Sequence, residues 1–128
     1  MRLLLDTHAL LWWIADDRSL PPPARRFIAS ASNEVMVSAV SAWEIATKVR
    51  LGKLIGAEDL AGDFAGFLLR EGFEQLPISI EHGLRAGLLT GPNKDPFDRM
   101  LVAQCQSENL PILSNDRIFD YYNVRRLW

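Results

Sequence analysis

Short unbroken apolar runs alternate along the chain with longer stretches in which apolar residues recur every three or four positions. Leu3-Leu4-Leu5 and Val35-Met36-Val37 are of the first kind and read as strands buried on both faces. The pattern predicts strands over 2–5 and 34–37, with further candidates over 75–78, 110–113 and 124–127. Between them it predicts helices over 6–16, 24–31, 41–51, 60–70, 81–89 and 96–107. Punctuating residues fix several boundaries. Asp6 or Thr7 suits the first N-cap, Pro21-Pro22-Pro23 forces a break, and Gly52 and Gly72 stop the third and fourth helices. Gly91-Pro92-Asn93 marks a loop, after which Asp95 caps a helix whose first turn holds Pro96.

Strands alternating with helices imply an α/β fold, a three-layer α/β/α sandwich around a mostly parallel sheet of four to five strands. No repeat, low-complexity tract or linker divides the sequence, and 128 residues suit one domain. With 48% hydrophobic and 23% charged residues the chain has material for a core, which argues against disorder or a fibrous repeat. The formal charge of −2 excludes a uniformly basic coat, so a nucleic acid would have to meet local cations. Cys105 is the single cysteine, which rules out an internal disulfide and a Cys-rich zinc site and fits a reducing cytoplasm. The apolar stretch 9–15 is far shorter than the ~20 residues of a membrane span. The first apolar run stops at Asp6 without the small-residue cleavage site of a signal peptide. The expectation is a cytoplasmic protein.

In α/β sheets ligands gather just beyond the carboxyl ends of the strands. Asp6 directly follows the first predicted strand, and Asp116 lies three residues after the fourth. Glu44 falls in the helix after the second strand, and Asp98 in the first turn of the helix capped by Asp95. Four carboxylates from distant segments can thus converge on one sheet edge. Clustered carboxylates suit hard cations such as magnesium or manganese, which prefer oxygen ligands. Such ions activate water and stabilise an in-line displacement at phosphorus, with no serine or cysteine nucleophile.

Each acid also has a plain structural use. Asp6 can cap a helix, while Asp95 and Asp98 complement a helix dipole. Glu44 can pair with Lys48 one turn on, although its neighbours Trp43, Ile45 and Ala46 argue for partial burial. Asp116 can serve a turn or cap. Other chemistries are poorly served: His8 and His82 lack partners at zinc-ligand spacing, and Ser38, Ser41 and Ser114 lack nucleophile-elbow glycines. No phosphate-cradling glycine loop is present, which argues against an NTPase or dinucleotide site. Trp12 and Trp13 read as core and interface residues, and Cys105 as a small buried hydrophobe.

The segment from Leu3 through Asp6, Thr7 and His8 to Trp13 resembles the opening of PIN-domain proteins of the VapC toxin type. Ser41-Ala42-Trp43-Glu44-Ile45 with Lys48, Leu51, Gly52 and Lys53 is similar to their second motif. Asp95-Pro96-Phe97-Asp98-Arg99 is similar to the third, and Leu113-Ser114-Asn115-Asp116 to the fourth. The resemblance spans nearly the whole chain in the right order. It implies a PIN-like fold with Asp6, Glu44, Asp98 and Asp116 as magnesium-binding acids. It also implies ribonuclease activity, a small cognate antitoxin and homodimerisation. Asn93 stands where that subgroup commonly carries histidine, and Ser114 where threonine is usual; neither departure removes an acid.

The resulting expectation is a magnesium-dependent endoribonuclease, with manganese as substitute, that acts as the toxin of a toxin–antitoxin pair. Asp6, Glu44 and Asp98 would hold the principal ion, with Asp116 supporting it. Metal-activated water would cleave the phosphodiester in line and leave a 3′-hydroxyl and a 5′-phosphate. Lys48, Arg50, Lys53, Lys94 and Arg99 are the candidate RNA contacts, and Arg25 and Arg26 are further candidates. The competing reading is a non-catalytic α/β binding module, either an inactive relative or a receiver-like domain. A receiver needs paired acids beside the first strand, whereas Asp16 and Asp17 lie a full helix away from Leu5.

Overall fold

The computed structural model describes all of the chain, Met1–Trp128. Strands and helices follow in the order β1 (Arg2–Leu5), α1 (Thr7–Ile14), α2 (Pro22–Ala29), β2 (Glu34–Ser38) and α3 (Ala39–Arg50). They continue with α4 (Glu58–Gly62), α5 (Phe64–Glu71), β3 (Glu74–Leu76) and α6 (Ile80–Leu88). The chain closes with α7 (Pro96–Glu108), β4 (Ile112–Leu113), α8 (Ile118–Tyr121) and β5 (Arg126–Leu127). The strands form one sheet in the order β3-β2-β1-β4-β5, and every pairing is parallel. The expected mostly parallel sheet is therefore entirely parallel.

Alternation along the strands builds two cores. Leu3, Leu5, Val35, Val37 and Leu113 enter one cluster with Leu10 of α1, Ala24 and Ile28 of α2, and Ile45 of α3. Leu4, Met36 and Ile112 point the other way and pack with Leu101, Val102 and Cys105 of α7 and Phe119 of α8. Both faces of the sheet are covered, which makes the three layers and explains why β1 shows no polar alternation. Leu3, Leu4 and Leu5 are wholly buried, and each contributes roughly 2 kcal/mol by leaving water. Cys105 is a core residue too; burial pushes its thiol up to about 12, so it is inert packing.

Several boundaries differ from the sequence expectation. The helix expected over 60–70 is two helices. At Asp63 the backbone leaves the helical region (φ −147°), and its carboxylate accepts from Gly66 N–H at 3.3 Å to start α5. The second helix starts two residues earlier than expected, at Pro22, because proline is well suited to a first turn. The fourth strand shrinks to Ile112–Leu113, since Pro111 has no N–H for the ladder. The fifth shrinks to Arg126–Leu127, and α8 had no counterpart in the pattern. No helix is long and apolar enough to cross a membrane.

Candidate active site

The sheet order reverses at β1: the chain moves outward through β2 and β3, then returns to β4 on the other side. The crevice in which open α/β sheets take their ligands is therefore expected between the carboxyl ends of β1 and β4. Asp6 stands at one lip and Ser114 to Asp116 at the other. The Ser114 hydroxyl is wholly buried and joins them. It donates to Asp6 Oδ2 at 2.6 Å and accepts from Asp116 N–H at 3.0 Å. Asp6 occupies the N-cap position of α1, but its side chain makes no capping bond. It is only 4% exposed, and a carboxylate so placed needs a partner other than water.

Glu44 comes from α3, which starts at the end of β2 where the Ser38 hydroxyl accepts from Val40 N–H at 3.0 Å. A buried 2.9 Å hydrogen bond between the Thr7 and Ser41 hydroxyls ties the starts of α1 and α3 together. It sets Glu44, one turn beyond Ser41, relative to Asp6. Glu44 is buried, and its Oε2 accepts from Lys48 Nζ at 2.5 Å. The anticipated surface pair and the anticipated burial are both present, since Lys48 is the half-exposed partner.

Asp98 lies in the first turn of α7. Asp95 is the true cap, accepting from Phe97 and Asp98 N–H groups, which leaves the Asp98 carboxylate for other duty. Asn93 Nδ2 donates to Asp98 Oδ2 at 3.2 Å. Its loop is held by Tyr122, whose hydroxyl accepts from Asn93 N–H, and by Arg99. Gly91 is obligatory there, because at φ +132° a β-carbon would lie 2.6 Å from the Tyr122 ring. Asp116 Oδ1 accepts from Ile118 N–H at 3.0 Å, so this acid also serves the turn into α8.

Charge ties these acids together. Burial raises the Asp6 carboxyl above its ordinary range, and Glu44 adds to the rise, while the Ser114 hydrogen bond and His8 oppose it. Burial pushes Asp98 up to about 6, with Asp95, Asp6 and Asp116 adding repulsion and the Asn93 amide opposing. Glu44 thus acts on Asp6, and Asp6 and Asp116 act on Asp98. The four acids occupy one electrostatic neighbourhood. As placed, no three of them close together at metal-holding distance.

The PIN-domain family model matches residues 3–124. The chain belongs to the PIN-domain family. Comparison with curated protein sequences gives no match. Among solved structures it is similar to VapBC-1 from nontypeable Haemophilus influenzae, at 15% identity over 98% of this chain and 96% of the other, TM-score 0.68. It is similar to VapBC2 from Rickettsia felis bound to a promoter DNA fragment, at 18% identity over 98% and 97%, TM-score 0.61. A third is FitAcB from Neisseria gonorrhoeae, at 17% identity over 100% and 97%, TM-score 0.62. At such identities the likeness is one of fold.

The expected RNA-contacting cations of this PIN domain divide into two groups. Arg50, Lys53 and Lys94 are exposed and make no salt bridge or side-chain hydrogen bond. Lys48 is held by Glu44, and Arg99 donates to the backbone carbonyls of Asn93 and Leu89, which makes it a brace for the loop beside Asp98. Arg25 pairs with Asp16 and braces the Leu20 carbonyl, while Arg26 is exposed on α2. Sequence reasoning gave Asn93 and Ser114 no role, yet these neutral donors orient Asp98 and Asp6. Their signal was adjacency to the acid-bearing segments. The histidines are not paired with one another: His82 caps α6 with Ser79 and meets Glu108 at 2.9 Å, far along α7 from Asp98.

Proposed function

We propose that this PIN domain is a divalent-ion-dependent endoribonuclease and the toxin of a toxin–antitoxin pair. The observation that carries the reading is the set Asp6, Glu44, Asp98 and Asp116 near the carboxyl ends of β1 and β4. There the Ser114 hydroxyl links Asp6 to Asp116, Glu44 raises the Asp6 carboxyl, and Asp6 and Asp116 raise that of Asp98. The donor set fits magnesium or manganese: it is all oxygen, Asp6 and Glu44 are buried, and burial first and neighbouring carboxylates second raise the Asp6 and Asp98 carboxyls. Magnesium is commonly held by one or two carboxylates and several waters, so three acids need not close on it. PIN-domain nucleases generally use a divalent metal. Bound there, the ion would supply positive charge for the phosphorane-like transition state and lower the pKa of water.

The chain's own groups do the orienting. Ser114 fixes Asp6 Oδ2 and Asn93 fixes Asp98 Oδ2, each leaving the other carboxylate oxygen for the crevice. Exposed Lys53, Arg50 and Lys94 flank the acids in sequence and can meet RNA phosphates, which supplies local attraction despite the net charge of −2.

A groove lined by Leu11, Trp12, Ile14, Leu54 and Ile55 is also lined by His8, Lys48 and Lys53, and it meets the acids through Lys48 on Glu44 and His8 near Asp6. An amphipathic antitoxin segment suits it, with apolar side chains along the groove and a basic residue on the carboxylates. The two-part names of the structural neighbours, VapBC and FitAcB, support a protein partner of this kind. A second copy of the chain fits α6, where Ile80, Leu84 and Leu88 are exposed on one face beside Gly83 and Gly87. The flank of that face carries Glu81 and Arg85, which complement themselves when two such helices pack antiparallel about a two-fold axis.

The test is cleavage of single-stranded RNA by the purified protein with magnesium or manganese, with chelator, and with Asp6→Asn. The expected result is cleavage that needs the ion and the acid. Cleavage indifferent to both refutes the metal mechanism. No cleavage by a folded, ion-loaded protein favours the non-catalytic module.

A further inference from the structure

Among the four acids of the crevice, Glu44 alone is held by a cation. Asp6 is held by a hydroxyl, Asp98 by an amide and Asp116 by a backbone N–H, but Glu44 Oε2 lies 2.5 Å from Lys48 Nζ. Glu44 is buried, whereas the Lys48 side chain is 36% exposed and also lines the groove beside α1. A four-carbon stem with its base at the rim can set its ammonium on the carboxylate or withdraw it into the groove. An exposed pair one helical turn apart contributes little. Here one partner is desolvated and sits beside Asp6, so the ammonium offsets charge that water does not reach.

We propose that Lys48 is a displaceable counter-ion: it occupies Glu44 while the acids hold no divalent ion and is driven off Glu44 when one binds. This rests on the reading that the acids hold such an ion. A doubly charged ion gains twice the attraction to Glu44 that the ammonium does at equal distance, and it repels the ammonium in turn. The two cannot share the carboxylate at close range. The pair therefore stabilises the ion-free fold and weakens ion affinity, so the loading threshold of the site is set by a residue that is not an ion ligand. The lysine's withdrawal also couples loading to whatever lies in the groove.

The experiment is calorimetric titration of the full chain with manganese, comparing the parent with Lys48→Met, Lys48→Gln and Lys48→Arg, alongside thermal melts in chelator. Removing the competing charge is expected to tighten manganese binding on the order of fivefold to tenfold in the Met and Gln variants. Those variants should also melt below the parent in chelator, because Glu44 then lacks its counter-charge. Lys48→Arg should restore parental values in both. A lysine needed only for folding would lower the melting temperature without tightening manganese. Manganese binding by the parent with equal or weaker binding in the Met and Gln variants overturns the proposal alone. If neither the parent nor any folded variant binds manganese, the ion-site reading fails and the counter-ion role falls with it.

Discussion

Asp98→Asn should make the ion-free protein more stable at neutral pH, although it alters a residue at the candidate centre. The Asp98 carboxyl ordinarily titrates at 3.8 and is pushed up to about 6, chiefly by burial and then by Asp95, Asp6 and Asp116. The native state therefore holds this proton more tightly than the unfolded chain does. The stability it confers is complete below about pH 4, is lost as pH rises towards 6, and stays absent at pH 7. At about 1.4 kcal/mol per pH unit the full gap would be worth ~3 kcal/mol, and screening of a half-exposed carboxyl reduces that to about 1–1.5 kcal/mol. Asparagine removes the charge and still offers Asn93 an acceptor. It forfeits roughly 0.5 kcal/mol of favourable interaction with the α7 N-terminus. The net gain of about 0.5–1 kcal/mol corresponds to roughly 2–4 °C in Tm for a chain of this size. Melts of parent and variant in chelator at pH 7 should show this gain, and melts at pH 4 should not. Excess magnesium should raise the parent more than the variant and narrow or reverse the gap. If Asp98→Asn melts lower at pH 7 both in chelator and in magnesium, Asp98 is a helix-start residue and the converging-acid account is wrong.

Ser114→Ala removes the buried donor to Asp6 Oδ2. It should cost roughly 1.5–3 kcal/mol by urea titration at pH 7 and push the Asp6 carboxyl higher still, whereas Ser114→Thr, which keeps the hydroxyl, should cost less. Leu84→Glu introduces a charge at the centre of the exposed α6 face and should convert a dimer to a monomer in sedimentation measurements while leaving the Tm of the monomer within a few degrees. A parent that sediments as a monomer at micromolar concentration removes the α6 assembly.

The parts of this protein legible in its sequence are those governed by local rules. The leucines of β1 announce a strand buried on both faces, and Asp95-Pro96 announces the start of α7 because cap and proline preferences are local. Asp6 and Asp116 were found by position, each just after an apolar run. Their convergence depends on sheet order, however, and nothing in the linear pattern states that β4 lies beside β1. The resemblance to PIN domains implied a PIN-like fold, which the family match bears out; the order that sets β4 beside β1 is given by the structure. Competition between local and side-chain bonds hid the rest. The Asp63 carboxylate breaks an otherwise continuous amphipathic stretch, and Pro111 shortens β4. Arg99 looked like a free cation but braces Asn93 and Leu89, because a loop carrying Gly91 against Tyr122 needs its carbonyls satisfied.

In the proposed reaction the crevice acids direct a water, and not the RNA's own 2′-hydroxyl, to the phosphorus. The two routes leave different ends, so the decisive measurement is the chemistry of the termini on RNA cut by the purified chain, with Asp6→Asn as control. A 5′-phosphate and a 3′-hydroxyl, formed with magnesium or manganese and lost with chelator or with Asp6→Asn, are the predicted result. A 2′,3′-cyclic phosphate with a 5′-hydroxyl, formed in chelator and by the Asp6→Asn variant alike, would contradict it.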